Sequence, residues 1–230
     1  MTQHKTNGLD LQALNELDPL KRNVEKELGQ EELTPMEPPS AYELPVSDNL
    51  NFKEFAMALQ ILMNEHQMAL EKITRFEQAL VQFKKNGYKL ETFINDTFKE
   101  FFNFFDDKLL PHNQKEEKAL FPFLHQRLIE AGEHSIGANP KTAIDVMEDD
   151  HIKFIQLGAL TFNLLGVATR LNDIDSRNFV FDTAYENGRE LVEMLKLHIY
   201  REDYTLFPLA NKHLTSAELD NIEKSMCKMA

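Results

Sequence analysis

The sequence predicts an all-α protein whose main body is an up-down-up-down antiparallel four-helix bundle with an internal pseudo-twofold repeat. Apolar residues recur every three or four positions over four long stretches, and glycine or asparagine separates these stretches. Signals for β-strands are almost absent. Helices of about 30 to 40 residues joined by short loops pack most economically side by side in alternating directions.

The N-terminal residues 1–47 are predicted to form an appendage and linker, and the bundle is placed at residues 48–230. Segment 34–46, TPMEPPSAYELPV, holds four of the nine prolines and should be an extended connector. Before it, apolar residues recur at helical spacing: Leu14, Leu17, Val24 and Leu28. This spacing predicts a short amphipathic helix that docks either on the bundle or on a neighbouring molecule.

The first long helix is predicted over residues 47–85. This stretch contains neither proline nor glycine, and its apolar residues follow a three-to-four spacing that includes His66. Ser47 or Asp48 is expected to cap the helix, and Gly87 is expected to end it.

The second and third helices are predicted from their end signals. The second covers about residues 89–131 and ends at Gly132. The third is expected to open with Asn139 as cap and Pro140 in its first turn, and to run to about Leu171.

The fourth helix is predicted over about residues 176–212, and a short terminal helix should follow it. Thr215 and Glu218 have the spacing of a capping box, which marks the start of that last helix. Pro122 and Pro208 fall inside the second and fourth helices. Since proline removes a backbone N–H, a matched kink is expected at both positions.

Composition limits the range of functions. The formal net charge of −13 argues against nucleic acid or an anionic membrane as a partner, because either would require a basic surface. The single cysteine, Cys227, cannot form an internal disulfide, which fits a cytoplasmic setting. The first ten residues lack the apolar core of a signal peptide. The most apolar stretch, 154–168, is interrupted by polar residues, so we interpret it as a buried helix rather than a membrane span.

Two stretches of the chain repeat one pattern. HNQKEEKALFP (112–122) and HIYREDYTLFP (198–208) each carry a histidine, a glutamate four residues later, and Leu-Phe-Pro at the same offset. One further histidine precedes each stretch at nearly the same distance, His66 by 46 residues and His151 by 47. This matched layout indicates an internal duplication.

The repeat predicts a metal site in the bundle core. Within each stretch the histidine and glutamate are four residues apart, so they lie one above the other on the same helical face. A twofold axis would bring both pairs together with the two upstream histidines. Imidazole and carboxylate ligands without thiolate suit Fe, Zn, Mn or Cu. The predicted ligands are His66, His112, Glu116, His151, His198 and Glu202.

The ligand count indicates two metal ions. Two carboxylates shared by four histidines allow each metal to take two histidines while both glutamates bridge. Iron is the best assignment, because carboxylate-bridged pairs in four-helix bundles are typically di-iron or di-manganese, and manganese or zinc is also possible. Two unpaired carboxylates in an apolar core would each cost several kcal/mol, which is a further argument for a metal.

These motifs resemble the hemerythrin-like (HHE cation-binding) family. The stretches LLPHNQKEEKALFP and EDDHIKF carry the resemblance, which covers about residues 50–213. It implies a non-haem di-iron centre with the four histidines as terminal ligands and the two glutamates as bridging carboxylates. The same spacing is also similar to the iron-centre repair branch, which is linked to nitric oxide stress.

The sequence departs from both relatives. Oxygen-carrier hemerythrins have a second histidine one turn after the one on the third helix, where this chain has Ile155, so one metal is expected to keep an open or water-filled position. The iron-centre repair branch carries an N-terminal cysteine pair, and residues 1–47 contain no cysteine. Glu117 and Asp203 directly follow the chosen glutamates, and a helix distortion would allow either to replace its neighbour as a ligand.

The leading functional hypothesis is a non-haem di-iron protein that binds, senses or reduces dioxygen, nitric oxide or peroxide. One alternative is an iron-centre repair or iron-oxidising protein; the paired Glu-x-x-His motif of ferritin-like oxidases occurs here only once, at Glu148 and His151. A second alternative is a metal-free structural bundle. The sequence leaves open whether the protein is an enzyme, whether it forms homo-oligomers, and whether it has a redox partner.

Overall fold

The computed structural model of the chain describes residues 52–136 and 138–229. Every regular element in these two ranges is helical, as the sequence predicted. Residues 1–47, with the predicted appendage, its amphipathic helix and the cap at Ser47, lie outside the described ranges, as does the alternative cap Asp48.

Four long helical arms make up most of the described chain. The first arm is a 3-10 turn (Phe52–Glu54) followed by α1 (Met57–Lys85). The second arm is continuous and consists of α2 (Thr92–Phe104), π1 (Phe105–Leu109), α3 (Leu110–Lys115), π2 (Glu116–Leu120) and α4 (Phe121–Glu130). The third arm is α5 (Ala143–Ala168). The fourth arm consists of α6 (Ile174–Arg201), π3 (Glu202–Leu206) and α7 (Phe207–His213), and the short helix α8 (Ser216–Met226) follows it.

Glycine ends the first and second arms at the predicted positions. Gly87 and Gly132 adopt φ angles of 70° and 78°, in the left-handed region that favours glycine. After the first arm, the Tyr88 N–H donates to the Phe83 carbonyl at 2.9 Å, which satisfies one of the free carbonyls at the helix end.

The main helix of the first arm begins later than predicted. The segment Phe52–Glu54 forms a separate 3-10 turn, and Ala56 is extended, so α1 starts at Met57. Two contacts hold this start in place: the Phe55 side chain is buried, and the Ala56 N–H donates to Asn211 Oδ1 of α7 at 3.1 Å. The helix therefore begins only after the buried phenylalanine, although the apolar spacing predicted a helix through this residue.

The prediction that Asn139 caps the third helix is wrong. Thr142 caps α5, and the Asp145 carboxylate accepts from the Thr142 N–H at 2.8 Å, which completes a capping box. The loop before it is closed by two bonds between Ser135 and Lys141, of 2.8 and 2.9 Å. These bonds keep Asn139 inside the loop.

The start of α8 agrees with the prediction, and the fourth arm begins slightly early. Thr215 and Glu218 form the expected capping box. Asp173 caps the fourth arm by accepting from the Ser176 N–H at 2.8 Å, so α6 begins two residues before Ser176.

The wider turns π1, π2 and π3 distort the second and fourth arms. In each, an amide N–H bonds the carbonyl five residues earlier, for example Phe121 to Glu116 and Phe207 to Glu202. A proline follows each π turn by two residues: Pro111, Pro122 and Pro208. Because proline cannot donate the normal helical bond, each wide turn lies where the regular pattern has to be interrupted.

Side-chain contacts between the first and fourth arms occur in opposite order along the two arms. Lys84 Nζ lies 3.0 Å from Glu186, Lys196 Nζ lies 2.7 Å from Glu77, and His66 Nδ1 lies 2.7 Å from Asp203. Contacts between the first and second arms follow the same rule, from Phe83 with Phe98 to His66 with His112.

Two apolar clusters fill the interior, and a polar layer separates them. One cluster contains Ala69 and Phe154, and the other contains Met63 and Met147. His66 lies between Met63 and Ala69 on the first arm, and the third arm is arranged in the same way. The buried polar groups therefore form a band across the middle of the core.

One helix in the described part of the chain, α5, is long and apolar enough to cross a membrane by length and composition alone. Its buried side chains include His151 and Asp150, which belong to the polar band, and Phe154, which belongs to the core. One face of this helix therefore packs into the core of the bundle.

Candidate metal centre

The structure brings all six predicted ligand residues together. Each of the four arms contributes a histidine, and the first residue of π2 and of π3 is a glutamate. All six side chains are buried, and both glutamates are fully inaccessible: His66, His112, Glu116, His151, His198 and Glu202. Six buried ionisable groups are unusual for an apolar core.

The six residues divide into two groups, each able to hold one metal ion. One group is His66, His112, Glu116 and Glu202, and the other is Glu116, His151, His198 and Glu202. In each group the ligand atoms lie within 4.8 Å of one another. Each position thus has two histidines, and both glutamates belong to both positions, which is the arrangement of two bridging carboxylates.

Glu116 connects the second arm with the third. Its Oε1 lies 3.3 Å from His112 Nε2, and its Oε2 lies 3.5 Å from His151 Nε2. The two carboxylate oxygens are therefore directed at different histidine pairs.

Glu202 connects the fourth arm with the first. Its Oε2 lies 3.1 Å from His66 Nε2 and 3.3 Å from His198 Nε2. The Nε2 atoms also approach each other within each pair, at 2.9 Å between His66 and His112 and 3.1 Å between His151 and His198. All four Nε2 atoms thus converge on the two carboxylates.

The other ring nitrogen of two histidines bonds an acid from the opposite repeat. His66 Nδ1 lies 2.7 Å from Asp203 Oδ1, and His151 Nδ1 lies 2.7 Å from Glu117 Oε1. An imidazole whose Nδ1–H donates to a carboxylate presents the lone pair of Nε2 to the cluster. The acid thereby fixes the tautomer that a metal ligand requires.

The remaining two histidines, His112 and His198, also have an acid beside Nδ1. These acids, Glu65 and Asp150, directly precede His66 and His151 in the sequence. His112 Nδ1 lies 2.7 Å from Glu65, and His198 Nδ1 lies 3.7 Å from Asp150. Lys115 bonds Glu65, and Arg201 lies 2.9 Å from Asp150, so both acids are themselves held by a cation. All four imidazoles therefore have a carboxylate beside the nitrogen that faces away from the cluster.

Two phenylalanines of the repeat support the same histidines. Phe207 stacks on His66 with ring centroids 5.5 Å apart and an interplanar angle of 7°, and Phe121 stacks on His151 at 5.7 Å and 23°. Each copy of the repeated stretch thus holds the first histidine of the other half, through its acid and its phenylalanine.

The two glutamates fit a cationic partner. All four of their carboxylate oxygens are buried, and none has a hydrogen-bond partner. A buried carboxylate without such compensation costs several kcal/mol, and a metal ion would supply the missing interaction. Nitrogen and oxygen donors in this proportion suit Fe, Mn or Zn. Cys227 is exposed and has no part in the cluster.

Neighbouring charges shift the pKa values of several cluster residues. Burial opposes a charge on His66, but the Asp203 and Glu202 carboxylates hold its pKa well above the usual range. Likewise, burial opposes protonation of His198, but Glu202 and Asp150 raise its pKa to about 9. The pKa of Glu202 lies well below its ordinary value, because the two imidazoles outweigh the effect of burial. Metal ions would therefore compete with protons for these imidazoles.

The two acids named as alternative ligands, Glu117 and Asp203, lie outside both groups and bond the Nδ1 atoms instead. Glu65 and Asp150 were not predicted from the sequence as residues of the site. A usable signal was present, because an acid directly precedes the first histidine of each half at the same relative position.

Ile155 does not face the cluster, contrary to the expectation that it marks a vacant ligand position. Its side chain is 41% exposed, on the outer face of α5. The neighbouring Phe154 is fully buried, and its ring lies 5.3 Å from that of His151 and 5.2 Å from that of His198. Phe154 lies three residues after His151, and the residue three after His66 on the first arm is Ala69. The surroundings of the two metal positions therefore differ.

The family model described as hemerythrin HHE cation binding domain matches residues 57–210. This range contains all six residues of the cluster and the acids and phenylalanines around it. No curated protein matched the chain.

Proposed function

The chain belongs to the hemerythrin HHE cation-binding family, and from this premise we propose that its buried cluster holds two iron ions. His66 and His112 would hold one iron and His151 and His198 the other, and Glu116 and Glu202 would be shared by both. The observation that carries this proposal is that both glutamates belong to both groups while none of their oxygens has a hydrogen-bond partner.

We infer an up-down-up-down arrangement of the four arms with a pseudo-twofold axis through the cluster. The opposite order of contacts between neighbouring arms supports alternating directions. The matched pairs Asp203 with His66 and Glu117 with His151 support the axis.

We propose that the site binds, senses or reduces a small oxidant such as dioxygen, nitric oxide or peroxide. Iron would supply an exchangeable coordination position for such a molecule. The first position, next to Ala69, is the better candidate for this exchange, because Phe154 packs against both histidines of the second. The acids on the Nδ1 atoms orient the imidazoles, and the phenylalanines limit the access of water.

We further infer the cellular setting of the protein from its charge and its single cysteine. The net charge of −13 supports a protein that acts without nucleic acid or anionic membranes as partners, and the single cysteine is consistent with the cytoplasm. The partner is then a small molecule. A protein that donates electrons would be needed only if the bound molecule is reduced.

Metal analysis of the purified protein tests the proposal. After reconstitution with ferrous iron, wild type should bind two iron ions per chain, and a His112→Ala, His198→Ala double variant should lose most of this iron. His125→Ala is the matched control, because His125 bonds Thr142 outside the cluster and should leave the iron content unchanged. Less than one metal ion per wild-type chain, or full binding by the double variant, would refute the di-metal assignment.

Exposure of the reduced, iron-loaded protein to oxygen, nitric oxide and peroxide separates the possible roles. A stable and reversible spectral change indicates binding or sensing, whereas repeated consumption of the oxidant indicates an enzyme. Release of iron during the reaction would instead favour the alternative of an iron-handling or iron-centre repair protein.

A further inference from the structure

Asn113 is a buried polar residue without a partner. Its side chain is 3% exposed, and neither its carboxamide nitrogen nor its carboxamide oxygen has a hydrogen-bond partner. A buried amide that bonds nothing is costly to maintain, so native proteins rarely keep one without a use. The metal cluster described above leaves this group unused.

The position of Asn113 places it at the level of the cluster. It directly follows His112 in α3 and precedes Glu116 by three residues and Glu117 by four. Residues three and four apart share a helical face. Since Glu116 and Glu117 both reach His151 of the third arm, Asn113 lies on the side of the second arm that faces the third.

The second half of the molecule shows that the fold does not require a polar group here. The residue that follows the corresponding histidine, His198, is Ile199, which is also 3% exposed and belongs to the apolar core. The repeated stretches thus differ at this place, with His-Asn in one and His-Ile in the other. At this position, only the first repeat has a side chain that can form hydrogen bonds.

We propose that the Asn113 carboxamide binds the small molecule that enters the metal centre. Its N–H₂ group donates a hydrogen bond to an atom of that molecule, and its carbonyl accepts one when the molecule carries a proton, as peroxide does. The ligand class is therefore a small polar molecule with a hydrogen-bonding atom remote from the metal. This role rests on the proposed function, since it requires metal at the cluster.

Azide binding to the iron-loaded protein provides the test. The variant Asn113→Ile copies the residue of the second half, and Ile199→Val is the control on the opposite flank. We expect azide affinity to fall roughly tenfold in Asn113→Ile and to stay unchanged in Ile199→Val. The azide stretching frequency should shift between H₂O and D₂O in wild type and should not shift in Asn113→Ile. Asn113→Ala serves as a second variant with less added volume.

Melting of the metal-free proteins gives a second readout. Removal of an unpaired buried amide should raise the melting temperature of Asn113→Ile by about 3 °C or more. Equal azide affinity in wild type and both variants would overturn the role of Asn113 while leaving the iron site intact. A lower melting temperature in both variants would show a structural role and would overturn it as well. Absence of iron from the wild-type protein would overturn both proposals.

Discussion

Three of the four histidines bond a carboxylate through Nδ1, and the fourth, His198, lies near one. Each imidazole has an acid beside Nδ1, at 2.7 Å in three cases and 3.7 Å in the fourth. Such partners set the orientation and basicity of a metal-binding ring, and their loss usually weakens metal binding substantially. The short bond between His66 and Asp203 is therefore expected to matter for affinity even though Asp203 is outside both ligand groups.

Replacement of this acid by its amide tests that expectation. Asp203→Asn should lower iron affinity by roughly 10- to 100-fold, because a neutral amide stabilises the required tautomer less well. Competition with a chelator measures the affinity. Asp149→Asn, an exposed change on α5, is the control and should have no effect. If Asp203→Asn binds iron as tightly as wild type, the His66–Asp203 pair has no part in metal binding.

The sequence alone allowed part of this site to be predicted. The duplicated spacing was sufficient to select the six residues that the structure brings together. It could not reveal the role of Glu117, because a residue five positions after His112 lies about 140° around a regular α-helix from it. The third arm, which receives that side chain, is distant in sequence. Pairing between arms is a tertiary property that the local pattern does not contain.

At the scale of elements, helix ends were predictable where one residue type decides them. Gly87 and Gly132 end their arms as expected, since few other residues adopt positive φ angles without strain. The start of α5 was not predictable in the same way. Asn139 and Thr142 are both good capping residues, and the bonds between Ser135 and Lys141 decide between them.

The capping box of α8 makes a prediction about acid stability. Glu218 accepts from the Thr215 backbone N–H and from Arg127, and these bonds lower its pKa to about 2. A depressed pKa stabilises the fold above the unfolded-state value of about 4.5, and this contribution is lost as the pH falls towards 2. Melting curves of wild type and Glu218→Gln should therefore differ at pH 7 and converge near pH 2.

An exposed glutamate on α6 provides the control for this experiment. Glu190→Gln should leave the melting temperature close to that of wild type across the same pH range. A constant difference between wild type and Glu218→Gln from pH 7 to pH 2 would show that the charge of Glu218 does not stabilise the start of α8.

For the whole molecule, the cluster connects all four arms through one layer of the core. A metal pair there binds the folded chain and not the unfolded one, so it should stabilise folding by mass action. Free metal at about a thousand times the dissociation constant would contribute about 4 kcal/mol. For a chain of this size, we expect the melting temperature to fall by about 8 to 16 °C when iron is removed.

Calorimetry of the loaded and chelator-treated protein measures this difference. The His112→Ala, His198→Ala double variant should melt at one temperature with and without chelator, because it has lost a histidine from each metal position. Equal melting temperatures for loaded and stripped wild type would indicate that the arms are held together without help from the metal.

The helical class followed from periodicity, since apolar spacing of three to four residues occurs throughout the described arms. The wide turns did not follow from it. Pro122 and Pro208 indicated an interruption, but only the packed arms show that the interruption takes the form of a π turn beginning at each buried glutamate. A kinked helix and a π turn satisfy the same local sequence, and the surroundings choose between them.

Neither repeat carries the support for its own first histidine. Glu117 and Phe121 contact His151, while Asp203 and Phe207 contact His66. Each metal position also takes one glutamate from each repeat. A chain with a single repeat would therefore be unable to complete even one metal position, whereas two identical copies of such a chain would complete each other.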